Sequence, residues 1–454
     1  PEEHFTDTIK AACGLADPNA VWGMTQAAPE LVHWLLKLGV KFNMSGYDDV
    51  DLRNFGGQKK KRTAFAQSDT GKQIMTAMID AVRRKEASGM VERFSHHSFL
   101  TLRLCGNICC GCVIRDEYSQ ETVELPGDAV IVATGGMHGL FGNTTGSLSN
   151  TGEVTAELFR LGVPLANGEM IQYHPTTVKC GGKRMLISEA ARGEGGRLFA
   201  MKDGKQWYFM EEKYPELGNL MPRDITAREI WKVSHESEVF LDMTEISEEI
   251  ISNKLSGLAD DCMTYLHKDI RKEPVSVLPG IHYFMGGILV DEQHRTPIQN
   301  LYAAGECCAQ YHGANRLGGN SLLGALYGGR VAAKSACEQA DVVDLSCATQ
   351  IDFPPASQIS EIKQLNKVMQ ETMGVVRNEN TLLNGIQTVQ ALTGNLPLLG
   401  MAVLKSALAR KESRGAHWRE DYPKSNDDDY LKTTVARFDG KQIQISFVPV
   451  PERR

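Results

Sequence analysis

Hydrophobic and polar positions fall into blocks along the chain that spell out its elements. Asp17-Pro18 supplies an N-cap and a proline at the first helical position. Val21, Met24, Ala28, Leu31, Val32, Leu35 and Leu36 then recur at helical spacing until Gly39. This predicts a helix closed by a left-handed glycine. Asp69-Thr70-Gly71 opens a second helix, with Ile74, Met75, Met78, Ile79 and Val82 expected on its core face. The runs FLTLRLCGN and CCGCVIRD predict a hairpin turning at Gly106-Asn107. DAVIVATGG (128–136) and NLYAAGE (300–306) are short, apolar and end in glycine, which predicts buried parallel strands. Between them, residues 169–281 mix charged helical stretches with loops, in the manner of an insertion. A long helix is expected from Ser321, and two or three amphipathic helices over 357–412, their faces marked by Leu365 and Met369 and by Ile386 and Val389. Ile443, Ile445 and Phe447 alternate as in a strand.

Composition narrows the class. The chain has 454 residues, enough for two to four domains. Hydrophobic content of 42% and charged content of 23% exclude a disordered or coiled-coil chain. No apolar run reaches the roughly 20 residues of a spanning helix. A net charge of −7 argues against a nucleic-acid partner, yet leaves room for a locally cationic pocket. The eleven cysteines are odd in number in a long chain, which argues against a secreted disulfide framework and for free thiols in a reducing cytoplasm. Cys105, Cys109, Cys110 and Cys112 cluster as a metal site would, but they lack a C-x2-C pair or a partner pair at zinc spacing, so a plain hairpin is the expectation and no metal site is assigned.

Two strands ending in ATGG and AAGE suggest a doubly wound sheet with a nucleotide at the carboxyl ends of its strands. Thr134, Gly135 and Gly136 would let the backbone approach the ligand, and Glu306 could accept from a sugar or ribityl hydroxyl. In HGANRLGGNSL (312–322), glycines precede a helix start at Asn320, Ser321 and Leu322, where free N–H groups could face a flavin. Arg316 just before them could fork onto a carboxylate. His174 in QYHPTTV, Ser188, Glu189 and Arg192 in ISEAARGEGGRLF, Arg223 in MPRDITAREI and His282 in PGIHYFMGG add a cluster of cations beside turns. The plainer alternatives are satisfied core histidines, a surface arginine, and an Arg223 paired with Asp224 or Glu229.

In order, the chain carries NFGGQ and RTAFAQSDTG (54–71), VATGG, QYHPT, SEAARGEGG, PRDITAR, HYFMGG, AAGE, HGANRLGGNSL, GVVRNENTL and ESRGAHWREDYP (412–423). With this ordered set it resembles the flavoprotein subunits of the succinate dehydrogenase/fumarate reductase family, which includes L-aspartate oxidase. Ser188 stands where that family usually has threonine, and Tyr173 where it often has phenylalanine. The resemblance implies an α/β fold: an FAD-binding, glutathione-reductase-type Rossmann-like domain (1–168 and 282–340), an inserted α+β capping domain (169–281) and a C-terminal helical domain with a terminal strand (341–454). It implies FAD as cofactor and a small dicarboxylate as substrate, held by Arg316 and His282 with help from His174 and Ser188. It also implies Arg223 as proton donor or acceptor, fed through Glu189 and Arg192. An arginine acid needs such a relay and the exclusion of water, because its ordinary pKa exceeds 12.

The G-x-G-x-x-G turn that would hold the pyrophosphate is not found in the sequence. By resemblance, Pro1 aligns inside the family chain near His4, Asp7 and Thr8. The expectation is therefore a chain without the family's first βαβ unit, retaining FAD weakly or not at all. RTAFAQSDTG favours the reductase and dehydrogenase branch over L-aspartate oxidase, whose chains usually have histidine and isoleucine there. Another unsaturated-acid reductase, or an inactive docking fragment, are the alternatives. An iron–sulfur subunit and a membrane anchor are the implied partners, at the cytoplasmic face of the membrane.

Overall fold

The computed structural model describes residues 1–46, 49–56, 58, 60–67, 69–340, 353 and 358–454. The first predicted helix runs from Pro18 to Leu38; Asp17 accepts from the Asn19 and Ala20 N–H groups, and Gly39 closes it with φ 100°. A shorter helix, Glu2–Ala11, which the sequence pattern did not signal, packs against it. The helix Thr70–Ala87 forms as expected, but its core face is narrower. Ile74 and Ala77 are buried with Leu35, Val40 and Phe42, whereas Met75, Ile79 and Val82 face outward, Met75 being 56% exposed. The helix packs through a single stripe, and residues one position round the wheel miss it.

The cysteine run folds as the expected hairpin, His97–Cys105 against Ile108–Asp116, with Thr122–Pro126 added as a third strand. Nine of the cysteines are free thiols; Cys105 instead is disulfide-bonded, and Cys347 lies outside the described residues. The two apolar runs meet as parallel strands, Val130–Val132 beside Leu301–Ala303. Val132 and Leu301 enter the core, while Ile131 stays 40% exposed, so the run is not buried on both faces.

Residues 187–277 enclose a core of their own around Leu198, Ile230, Leu241 and Ile251, with the four-stranded sheet containing Arg197–Lys202 and Val239–Asp242. The long strand Ile171–Cys180 pairs with Leu278–Phe284 and runs along the edge of this core. The helix Asn320–Gln339 follows the second apolar strand. Three helices, Ile359–Thr372, Glu379–Val389 and Asn395–Ala409, form in the expected region. They share one core with Phe141, Phe159, Ile171 and Phe284, so they are layered on the part of the chain that precedes them. The terminal strand Ile443–Pro449 pairs with Lys432–Phe438, which in turn pairs with Leu165–Ala166. The expected boundary at 340/341 adjoins a stretch outside the described residues.

Candidate active site

The cationic residues picked out along the chain converge where the Ile171–Cys180 strand, the insertion and the 312–319 loop meet. Arg223 is the first residue of the helix Arg223–Val233, and it does not pair with Asp224 or Glu229. Its Nε and Nη2 donate to Glu189 Oε2 at 3.0 and 2.6 Å, and its Nη1 donates to Gln172 Oε1 at 3.0 Å. Glu189 Oε1 accepts from Arg192 Nη2 at 3.3 Å and from the Gly56 N–H at 3.1 Å. Arg192 Nη1 donates to the Asn219 carbonyl at 2.6 Å. Arg223, Glu189 and Arg192 are all buried. Burial alone would push the Glu189 carboxyl up, but the two guanidinium groups and the hydrogen bonds outweigh it, so its pKa falls below the usual range.

On the other wall lies Arg316. It is buried, its guanidinium stacks 4.3 Å from the Tyr283 ring centroid, and its Nε has no hydrogen-bond partner. Among the described residues, no carboxylate lies within ion-pairing distance of it. Burial and the charge of Arg223 push its pKa down to about 9. His174 and His282 stack edge to face, with ring centroids 5.2 Å apart. His282 Nδ1 lies 2.8 Å from Thr145 Oγ1, and His174 Nδ1 lies 3.1 Å from the Thr176 carbonyl. His174 Nε2 is buried with no partner. Burial, reinforced for His174 by Arg223 and Arg192 and for His282 by His174 and Arg223, holds both imidazoles well below their ordinary pKa.

A buried cation without a counter-ion is costly, as is an unpaired buried donor. One small anion reaching Arg316 Nε and His174 Nε2 would relieve both. Ser188 caps the Glu189–Gly193 helix by accepting from the Ala190 N–H at 3.2 Å. It also lines a crevice of about 560 Å³ together with Thr145, Arg184, Leu258 and Tyr265.

The residues expected to meet the cofactor form a second group next to the first. Glu306 Oε1 accepts from the Phe284 N–H at 3.0 Å and lies 3.5 Å from His138 Nε2. A side chain at Gly136 would strike this carboxylate and Phe284, which explains the glycine there. Gly135 adopts φ 71°, and Thr134 beside it is exposed. The helix starting at Asn320 has no side-chain cap, and Leu322 in its first turn is exposed. The Asn320 side chain is tied to His4 Nε2 at 2.8 Å and to Thr8 Oγ1 at 2.9 Å. These bonds fix the helix start against the Glu2–Ala11 helix. An uncapped helix N-terminus, a carboxylate with one oxygen uncommitted, and an exposed apolar side chain fit a flavin dinucleotide. The two groups are contiguous: a Cβ at Gly318 would sit 3.0 Å from Glu189 Oε2.

Gln172, Asn315, Thr145 and Gly56 belong to the site but were not foreseen. Gln172 had a signal, lying two residues before His174 and so on the same face of the strand. Thr145 had none.

The chain is similar to known proteins along most of its length. Residues 1–322 match the FAD binding domain family, and residues 392–453 match the fumarate reductase flavoprotein C-terminal family. The chain is 36% identical to the succinate dehydrogenase flavoprotein subunit of Bacillus subtilis, over 100% of this chain and 88% of that one. It is 31% identical to the 8-methylmenaquinol:fumarate reductase flavoprotein subunit of Wolinella succinogenes, over 99% and 82%. It is 33% identical to the L-aspartate oxidase of Pyrococcus furiosus, over 94% and 85%. A mutant chain of Escherichia coli quinol fumarate reductase superimposes with a TM-score of 0.89 at 26% identity, covering 99% of this chain and 86% of that one. Matches of this extent, over most of the chain, show that it belongs to the FAD-dependent oxidoreductase family of succinate dehydrogenase and fumarate reductase flavoprotein subunits.

Proposed function

We propose that the protein interconverts fumarate and succinate. FAD, when bound, takes or gives the hydride. Arg316 and His282 hold one carboxylate of the substrate, with His174 and Ser188 assisting. Arg223 gives a proton to the second carbon in reduction, or takes it in oxidation, so that hydride and proton together saturate or restore the double bond. Glu189 and Arg192 carry the replacement proton, and the insertion over 169–281 acts as a cap that excludes water. The nucleotide-binding part is assigned to 1–168 with 282–340, and the helical part to 341–454. Thr134, Gly135, Gly136, Glu306, Asn320, Ser321 and Leu322 are assigned to the cofactor side.

The observation that carries this reading is the buried Arg223–Glu189–Arg192 chain set against the unpaired Arg316. Two of these relatives are named as flavoprotein subunits, which supports assembly with partner subunits; we take these to be an iron–sulfur protein and a membrane anchor, at the cytoplasmic face. No helix among the described residues is long and apolar enough to cross a membrane. Turnover of the FAD-loaded protein with fumarate, succinate and aspartate tests the substrate. Arg223→Gln should cut fumarate turnover by about 10²–10⁴-fold while dicarboxylate binding persists. Turnover with aspartate alone would replace this reading by the L-aspartate oxidase one.

A further inference from the structure

Arg223 and Arg316 stand on different segments, and proton delivery requires a fixed spacing between them. The structure shows what sets it. Arg223 Nη1 donates to Gln172 Oε1 at 3.0 Å. Gln172 Nε2 donates to Asn315 Oδ1 at 2.8 Å and to the Arg316 carbonyl at 2.9 Å. Asn315 Nδ2 donates to Asp224 Oδ1 at 2.9 Å. The backbone from Asp224 to Arg223 closes the ring. Its polarity has one solution. A guanidinium only donates, so Gln172 must turn its oxygen to Arg223 and its nitrogen to Asn315. Asn315, accepting from Gln172 through its oxygen, must then turn its nitrogen to Asp224 Oδ1, which accepts. Gln172 and Asn315 are buried, where satisfied networks are rigid.

We propose that the Asn315–Asp224 hydrogen bond is a latch between the 312–319 loop and the capping helix, which makes Asn315 a positioning residue for Arg223. This rests on the reading of Arg223 given above. The loop has other supports: Gln172 holds the Arg316 carbonyl, and the Ala416 N–H donates to the Ala314 carbonyl at 2.9 Å. Losing the latch therefore leaves the carboxylate clamp in place and frees the helix start that bears Arg223. The helix has a second anchor one turn on, where the Arg228 guanidinium lies 4.0 Å from the Trp418 ring centroid. The freed motion is a tilt, not detachment.

The test uses the FAD-loaded protein with Asn315→Asp, Asp224→Asn and the double exchange. Asn315→Asp keeps the acceptor for Gln172 but sets two carboxylates face to face. It should lower kcat for fumarate by about 10²-fold, the cost of a misplacement on the order of 1 Å, with the succinate Kd by calorimetry nearly unchanged. The double exchange reverses the donor and acceptor across the latch and should recover kcat to within about threefold of the parent. The latch is overturned if Asn315→Asp keeps the parent kcat, if the double exchange is as slow as Asn315→Asp, or if the loss appears in the succinate Kd. Full activity in Arg223→Gln would overturn the underlying reading instead.

Discussion

His174 and His282 give the site its pH response, because both are held neutral by burial and by neighbouring cations. A dianion placed between them and Arg316 reverses that bias, so binding should draw in protons. Affinity for succinate is expected to tighten as pH falls from about 8 to about 6. Calorimetry in two buffers of different ionisation heat measures this; a pH-independent affinity with no proton uptake would refute it. The sign for folding is the opposite. Both imidazoles have folded pKa values below the unfolded value of about 6.5, so the unfolded chain binds protons more readily. Stability present above that pH is lost as pH falls below it, unless substrate is bound. Glu189 adds to the same trend: its lowered pKa makes its contribution full above the unfolded carboxylate range and lost as pH falls through the folded value.

The helix Asn320–Gln339 shows how much packing decides beyond sequence. Gly328 and Gly329 are adjacent and equally unfavourable for a helix, yet a Cβ at Gly328 would meet His294 Cε1 at 2.7 Å and one at Gly329 would meet nothing within 4 Å. His294 cannot give way, being held by the Ala303 carbonyl at 2.7 Å and by Tyr311 Oη at 2.5 Å. Gly328→Ala should cost about 1–3 kcal/mol, and Gly329→Ala should gain up to about 1 kcal/mol. Thermal melts that move the same way for both would contradict this. Elements with a strong local signature were legible: Asp17, Pro18 and Gly39 bound their helix, and Gly106-Asn107 marks the hairpin. The outward turn of Met75 and Ile79 was not, because period 3.6 shows that a face is apolar but not how wide the neighbour is. The site was legible as a set of residue types beside glycines. Its wiring was not: the partners of Arg223 are 34 and 51 residues away, while the local candidates Asp224 and Glu229 bind Asn315 and Lys213 instead.

At the scale of the whole molecule, one buried arginine ties distant regions together. Arg410 donates to Glu169 at 2.8 Å and to Glu412 at 2.7 Å, and also to the Tyr430 and Lys432 carbonyls and to Thr434. Arg410→Ala would leave Glu169 and Glu412 buried without this partner, at a cost of about 3–5 kcal/mol. A urea midpoint equal to that of the parent would contradict it. Neighbouring contacts extend the tie toward the site, since Arg414 Nη1 donates to the Cys13 carbonyl and the Ala416 N–H to the Ala314 carbonyl. The seam on which the site lies has a consequence for the order in which the protein is made. The 187–277 core can close as soon as its own residues have left the ribosome, whereas Arg316 is 144 residues beyond Gln172, which holds it. Contacts of such long separation form late. The nascent chain thus carries a finished 187–277 core, with Arg223, Glu189 and Arg192 already joined, long before Arg316 can reach Gln172.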